Sequence, residues 1–278
     1  MSEMMALLAA PFAICLILAG IHCYLGLHIV SRGVIFVDLS LAQIAAFGMT
    51  IAILAGYELQ SNEAYMSSLL FTFVGAGIFA LSRMREEKIP QEAIIGIVYA
   101  VASSAAILIL DRAPHGHEAI KAMLVGSVLY VTWSDVWITL MIYLAIGAVH
   151  YALRHKFIII SMDLPEARRK GMAIRFWDFI FYVTFGIVVT SSVKIAGVLL
   201  VFSYLVVPAV CAMLFTDSIG KRLTIGWMLG FIVSALGLYF SAAFDLPTGA
   251  AIVTTFGAVL IMSGFVRLIM LRVGAMRS

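Results

Sequence analysis

Long apolar runs follow one another from residue 6 to residue 270, and almost no charge falls inside them. A helix needs about 20 mostly apolar residues to cross a hydrocarbon core. Inside lipid every backbone amide must find its partner within the protein, which leaves helices or a closed barrel as spanning structures. Runs of this length and continuity fit the helix. We read spans at 6–28, 35–56, 65–82, 91–110, 133–153, 176–192, 195–216, 223–243 and 248–270. The expected fold is an all-α polytopic membrane bundle of nine spans, or eight if one run fails to cross. The composition agrees, with 63% of the 278 residues hydrophobic and 12% charged, and a mean hydropathy of +1.09. Soluble domains hold about 45–50% apolar and about 25% charged residues, so a soluble enzyme is excluded. Nine spans with their loops consume the whole chain, so residues 1–278 are expected to form a single transmembrane domain.

The N-terminal MSEMMALLAA has no basic n-region and is expected to open the first span rather than to be a cleaved signal. Cys15, Cys23 and Cys211 all lie in apolar runs without metal or redox spacing, and read as small buried hydrophobes. The net charge of +3 is small, and no basic patch of the kind that binds nucleic acid is evident.

The distribution of Lys and Arg sets the orientation. With the N-terminus outside, alternate connections place Arg32, Arg83, Arg85, Lys88, Arg154, Lys156, Arg168, Arg169, Lys170, Arg175, Lys221, Arg222, Arg267, Arg272 and Arg277 inside. Only Arg112, Lys121 and Lys194 of the 18 basic residues fall outside. The expectation is therefore an external N-terminus, an internal C-terminus and an odd number of spans.

The inner loop 154–175 carries the next signal. Asp163-Leu-Pro-Glu166 reads as a capping-box variant, with Asp163 as N-cap, Pro165 in the first turn and Glu166 three residues on. Arg168, Arg169 and Lys170 follow where positive charge suits the helix dipole, and Gly171 supplies the stop. This predicts a separate helix of about two turns, either a plain connector or a docking element for a cytoplasmic partner. Asp245-Leu-Pro247 reads more plainly, as a cap and a first-turn proline opening the last span. Pro208, in the middle of 198–214, predicts a kink.

Ionisable groups within spans are expensive and therefore informative. Asp38, Glu92 and Asp178 sit near the inner ends of their spans, and no carboxylate reads as lying at the midplane. That argues against a proton relay and against a cage of carboxylates for a hard cation. His22, Cys23 and Gln43 could line a central path, with Leu39 on the Gln43 face four residues earlier. Hydrogen bonding to a neighbouring helix is the competing reading for each. In the outer loop, His115, His117 and Glu118 are of the type that ligates a transition metal, and a solvated loop is the alternative. His150 and His155 look interfacial.

Six stretches stand out: Gly26–Gly48, Glu92–Ala100, Leu124–Asp135, Asp163–Gly171, Gly197–Ala212 and Asp245–Val253. Together, in their order and spacing, they resemble the ABC-3 family, the membrane permease subunits of ATP-binding-cassette importers for zinc, manganese and iron. The resemblance implies a homodimeric permease in the bacterial cytoplasmic membrane. Each subunit would dock on a cytoplasmic ABC ATPase, and an extracytoplasmic binding protein would deliver substrate. The helix at 163–171 would be the coupling helix, with Asp163, Glu166, Ala167 and Gly171 matching the family pattern and Arg168 and Arg169 beside them. ATP and magnesium would belong to the partner, because this chain has no GxxxxGK[ST] loop and carries no catalytic residues or cofactor of its own. Family members that move zinc or manganese typically carry an Asp and a His four apart on the second span. Aligning Phe36 and Gly48 with the ends of that stretch puts Leu39 and Gln43 at those positions, with Asp38 one residue early. A neutral amide is a poorer metal ligand than imidazole or carboxylate. The substrate could then be an ion held by other groups such as His22 or Cys23, a chelated metal, or something else.

A secondary transporter working without an ATPase is the main competing function, and the missing midplane carboxylates count against it. An intramembrane metalloprotease has less support, since no HExxH motif is present.

Overall fold

The computed structural model describes residues 2–58, 61–83, 89–111, 126 and 128–275, without the side chains of 2–6 and 274–275. The described residues form eleven α-helices, one short 3-10 turn at Val128–Tyr130 and no strand. The helices are α1 (Ser2–Arg32), α2 (Val37–Leu54), α3 (Asn62–Ser82), α4 (Gln91–Leu110), α5 (Trp133–Ala152), α6 (Arg154–Met162), α7 (Leu164–Arg169), α8 (Ile174–Ala196), α9 (Val198–Met213), α10 (Ile219–Phe244) and α11 (Thr248–Ala275). Eight of them are long and apolar enough to span a membrane. The ninth expected span is α9, which has 16 residues. At 1.5 Å per residue it reaches about 24 Å. The sequence run 195–216 looked longer because it included the Gly197 break before the helix and the turn after Met213.

The chain divides into two compact units. The first holds Met1–Val30, Ser127–Leu140 and Leu199–Ser278. Its helices meet over small residues, as membrane helices do when close backbone approach replaces the hydrophobic drive of water. A Cβ on Gly26 of α1 would lie 1.8 Å from the Leu205 carbonyl oxygen of α9, so only glycine permits this approach. Trp227 of α10 donates to the Gly20 carbonyl at 3.0 Å, and Tyr204 of α9 bonds Ser234 of α10 while its ring meets Phe256 of α11 edge-on. Pro208 sits inside α9, which continues through it as one helix. Asp245 does not cap the last span. It ends α10 in the left-handed region at φ 53°, and α11 starts after Pro247 with Ser241 bonded to Thr248 at 2.8 Å. Asp245-Leu-Pro247 is thus a tight interhelical turn.

The second unit holds Ser31–Gly126 and Met141–Val198. Its centre is α2, packed on α3, α4 and α8, with 67% of its apolar window buried. Ser67 of α3 donates to the Gly48 carbonyl of α2 at 2.6 Å, and Thr72 of α3 bonds Thr190 of α8 at 3.0 Å. The loop 154–175 is more structured than its sequence suggested, because α6 precedes α7. Phe157 of α6 is fully buried against Phe181 of α8 and His150 of α5. His150, near the end of α5, is buried among these helices: it is 1% exposed, and its Nε2 lies 2.8 Å from the Thr184 hydroxyl. Cys15, Cys23 and Cys211 are free and buried, as expected.

Candidate substrate path and coupling helix

The start of α2 is fixed by its neighbour. Phe36, the N-cap residue, offers no capping side chain, and its N–H is instead accepted at 2.9 Å by Glu92 Oε1 from the first turn of α4. Asp38 follows in the first turn of α2. Successive residues on a helix turn by about 100°. Leu39 and Gln43 therefore share a stripe with the exposed Phe36 and the half-buried Phe47, while Asp38 points well away from it. Asp38 is 2% exposed. Its Oδ1, the Glu92 Oε2 and the Ser40 hydroxyl are buried without a hydrogen-bond partner among the described residues. The Asp38 carboxylate and the Leu39–Gln43 stripe thus lie on different faces of α2, and the stripe offers one neutral amide.

His22 and Cys23 lie in the first unit. His22 is fully buried, and its Nδ1 donates to the Leu18 carbonyl at 2.8 Å. Cys23 fills space against Gly226, where a Cβ would sit 2.1 Å from the sulfur. Among the described residues no group of three or more His, Cys, Asp or Glu could hold a metal. His115, His117 and Glu118 lie outside the described residues.

The short capped helix expected in this loop is present as α7. Asp163 is the N-cap of α7, accepting the Glu166 N–H at 2.9 Å, and Pro165 sits in the first turn. Glu166 does not complete a reciprocal box, because the Asp163 N–H already donates to the Ile159 carbonyl that ends α6. The Glu166 carboxylate is freed to pair with Arg169 and, at 3.4 Å, with Lys170. Gly171 has φ 64°, and the bonds Gly171 N–H to Arg168 O and Met172 N–H to Ala167 O close a Schellman stop. Ala167 is fully buried, whereas Arg168, Arg169 and Lys170 are exposed. A rigid two-turn helix therefore turns a basic edge outward and a small residue inward. A cleft of about 610 Å³ opens beside it, lined by Arg83, Arg168, Arg175 and Phe176 among others.

One charged cluster was not foreseen. Asp178 of α8 holds Arg32 Nη1 on Oδ1 and Arg83 Nη1 on Oδ2, each at 2.7 Å. The side chains of Asp178 and Arg32 are fully buried. Arg32 Nε also donates to Ser161 of α6 at 2.8 Å, and the guanidinium stacks 4.0 Å from the Phe181 ring centroid. The signal was available in the orientation rule, which already put all three charges at inner helix ends. A search for opposite charges at one membrane face would have paired them.

Comparison with known proteins bears on this arrangement. The chain is 28% identical over 197 residues to the manganese transport system membrane protein MntC of Listeria innocua, covering 68% of this chain and 70% of that one. It is 21% identical over 262 residues to the manganese import system permease protein ScaB of Streptococcus parasanguinis, covering 93% and 89%. Its fold matches a chain of PsaBC from Streptococcus pneumoniae, solved in complex with Fab, with a TM-score of 0.76 at 21% identity, over 92% of this chain and 90% of that one. A model of the ABC 3 transport family matches residues 4–267. The chain therefore belongs to the ABC 3 transport family, as one of its multi-pass membrane permeases.

Proposed function

We propose that this chain is the membrane subunit of an ATP-driven importer for a transition-metal ion or a metal-containing species, with manganese the first candidate from the names of its relatives. The ATPase is a separate cytoplasmic subunit that binds ATP and magnesium, and an extracytoplasmic binding protein brings the substrate. Two copies of the chain line the passage. The N-terminus lies outside and the C-terminus inside, a reading supported by the distribution of Lys and Arg; the junction of Arg32, Arg83 and Asp178 gathers the ends of α1 and α3 with the start of α8 on one face.

The observation that carries the reading is α7. A capped, Schellman-stopped helix of six residues in an inner loop has no packing role that demands three exposed cations. It suits an acidic groove on a partner, and Asp163, Glu166, Ala167, Arg168, Arg169 and Gly171 are the residues that shape it. Partner movement on ATP binding would displace α7 and switch the access of the passage between two states. Leu39 and Gln43 mark the α2 face proposed to meet the substrate. Their neutrality favours a weakly held ion passing through, or a cation still screened by ligands.

Reversing charge at Arg168, Arg169 and Lys170 tests the docking assignment. The triple glutamate variant should lose its ATPase during purification. An intact complex with normal substrate-stimulated ATP hydrolysis would overturn it.

A further inference from the structure

Burying an ion pair is a poor way to gain stability, because desolvation offsets most of the attraction and apolar residues of similar volume do as well. Here the buried group is larger than a pair. Each oxygen of the Asp178 carboxylate takes an arginine from a different helix, Arg32 at the end of α1 and Arg83 directly after α3. What such a cluster supplies that packing does not is direction: charge-assisted bonds hold defined atoms at defined angles.

The cluster also reaches α7. Arg32 bonds Ser161, which lies two residues before Asp163. Asp163 ends α6 with its N–H and starts α7 with its carboxylate, so α6 and α7 share one residue as a joint cap. Phe157, buried against Phe181, fixes α6 on α8 from the other side. From Asp178, α8 runs to Thr190, where it is tied again to α3 at Thr72. Both α3 and α8 pack on α2, which carries Leu39 and Gln43. A continuous set of directional bonds therefore leads from the proposed docking helix to the neighbours of the proposed path, all within the second unit.

We propose that Asp178 is a positioning residue for transport, locking α6 and α7 to the inner ends of α1, α3 and α8 so that a displacement of α7 moves those ends as one body. This rests on the reading of α7 as the ATPase-docking helix. Losing one arm of the junction leaves hydrolysis intact and lets the motion dissipate before it reaches α2.

The test uses the full complex, with its ATPase and binding protein, in sealed vesicles where Mn²⁺ uptake and ATP hydrolysis are measured together. Arg83→Gln removes the partly exposed arm and leaves the Arg32–Asp178 pair in place. Its complex should assemble and hydrolyse ATP near the wild-type rate, while Mn²⁺ moved per ATP falls about fivefold or more. Arg83→Lys, which keeps a cation, should recover much of the ratio, and Asp178→Asn should lose more than Arg83→Gln. If Arg83→Gln leaves Mn²⁺ per ATP unchanged, or loses uptake and hydrolysis in proportion, the inference is wrong. That result is informative even where Asp178→Asn fails to fold. A wild-type complex that moves none of Mn²⁺, Zn²⁺ and iron, free or chelated, on ATP would instead overturn the functional reading on which the inference rests.

Discussion

Glu92 accepts the backbone N–H of Phe36 at 2.9 Å, so the first turn of α4 caps the start of α2 across the helix interface. A helix N-terminus leaves unpaired donors, and here a neighbour supplies the acceptor that Phe36 cannot. Glu92→Ala should lower stability by about 1 kcal/mol through this lost cap. Glu92→Gln keeps an acceptor and should lose less. Thermal unfolding of the purified permease, followed by tryptophan fluorescence, separates the two.

Gln43 lies on a stripe of α2 with Leu39, away from Asp38, and this is the face proposed to meet the substrate. Gln43→His should tighten Mn²⁺ or Zn²⁺ binding to the purified complex by about tenfold, which corresponds to about 1.4 kcal/mol. Leu39→Asp combined with Gln43→His should tighten it further. Calorimetry reads both. Unchanged affinity in the double variant would show that this stripe does not face the ion.

Asp163 and Gly171 fix the two ends of α7. Asp163→Ala removes the N-cap and should destabilise the helix by about 1 kcal/mol. Gly171→Val puts a branched side chain at φ 64° and should destabilise the stop by at least about 1 kcal/mol. Each should weaken ATPase binding severalfold in a pull-down from detergent while leaving the melting of the permease alone nearly unchanged.

Gly26 lets α1 touch the backbone of α9. Gly26→Ala would force a methyl into the Leu205 carbonyl, and overpacking of this kind destabilises by about 1–3 kcal/mol. Gly20, in the same helix, has open space at its Cβ position, so Gly20→Ala should be tolerated. Folded yield in detergent compares the two directly.

The span pattern was legible because hydrophobicity over 20 residues is a local property, and the cap and stop of α7 were legible because their chemistry is local too. Helix α6 escaped notice: RHKFIIISM is too short for a span and too apolar for a loop, and its burial comes from Phe181 and His150, which lie elsewhere in the chain. The burial of His150 has the same origin. The Asp178 junction joins residues up to 146 positions apart, so no window could display it. Asp38 and Glu92 are 54 positions apart, so only the fold could show that both leave a buried carboxylate oxygen unbonded among the described residues.

At sixteen residues, α9 falls roughly 6 Å short of a typical hydrocarbon slab. Its two neighbours in the first unit, Ile219–Phe244 and Thr248–Val273, have 26 residues each, with Lys221 and Arg222 near the start of one and Arg267 and Arg272 near the end of the other. Their apolar stretches therefore come closer to that slab than α9 does. A short element among matched ones requires the bilayer to thin beside it or neighbouring helices to cover its ends.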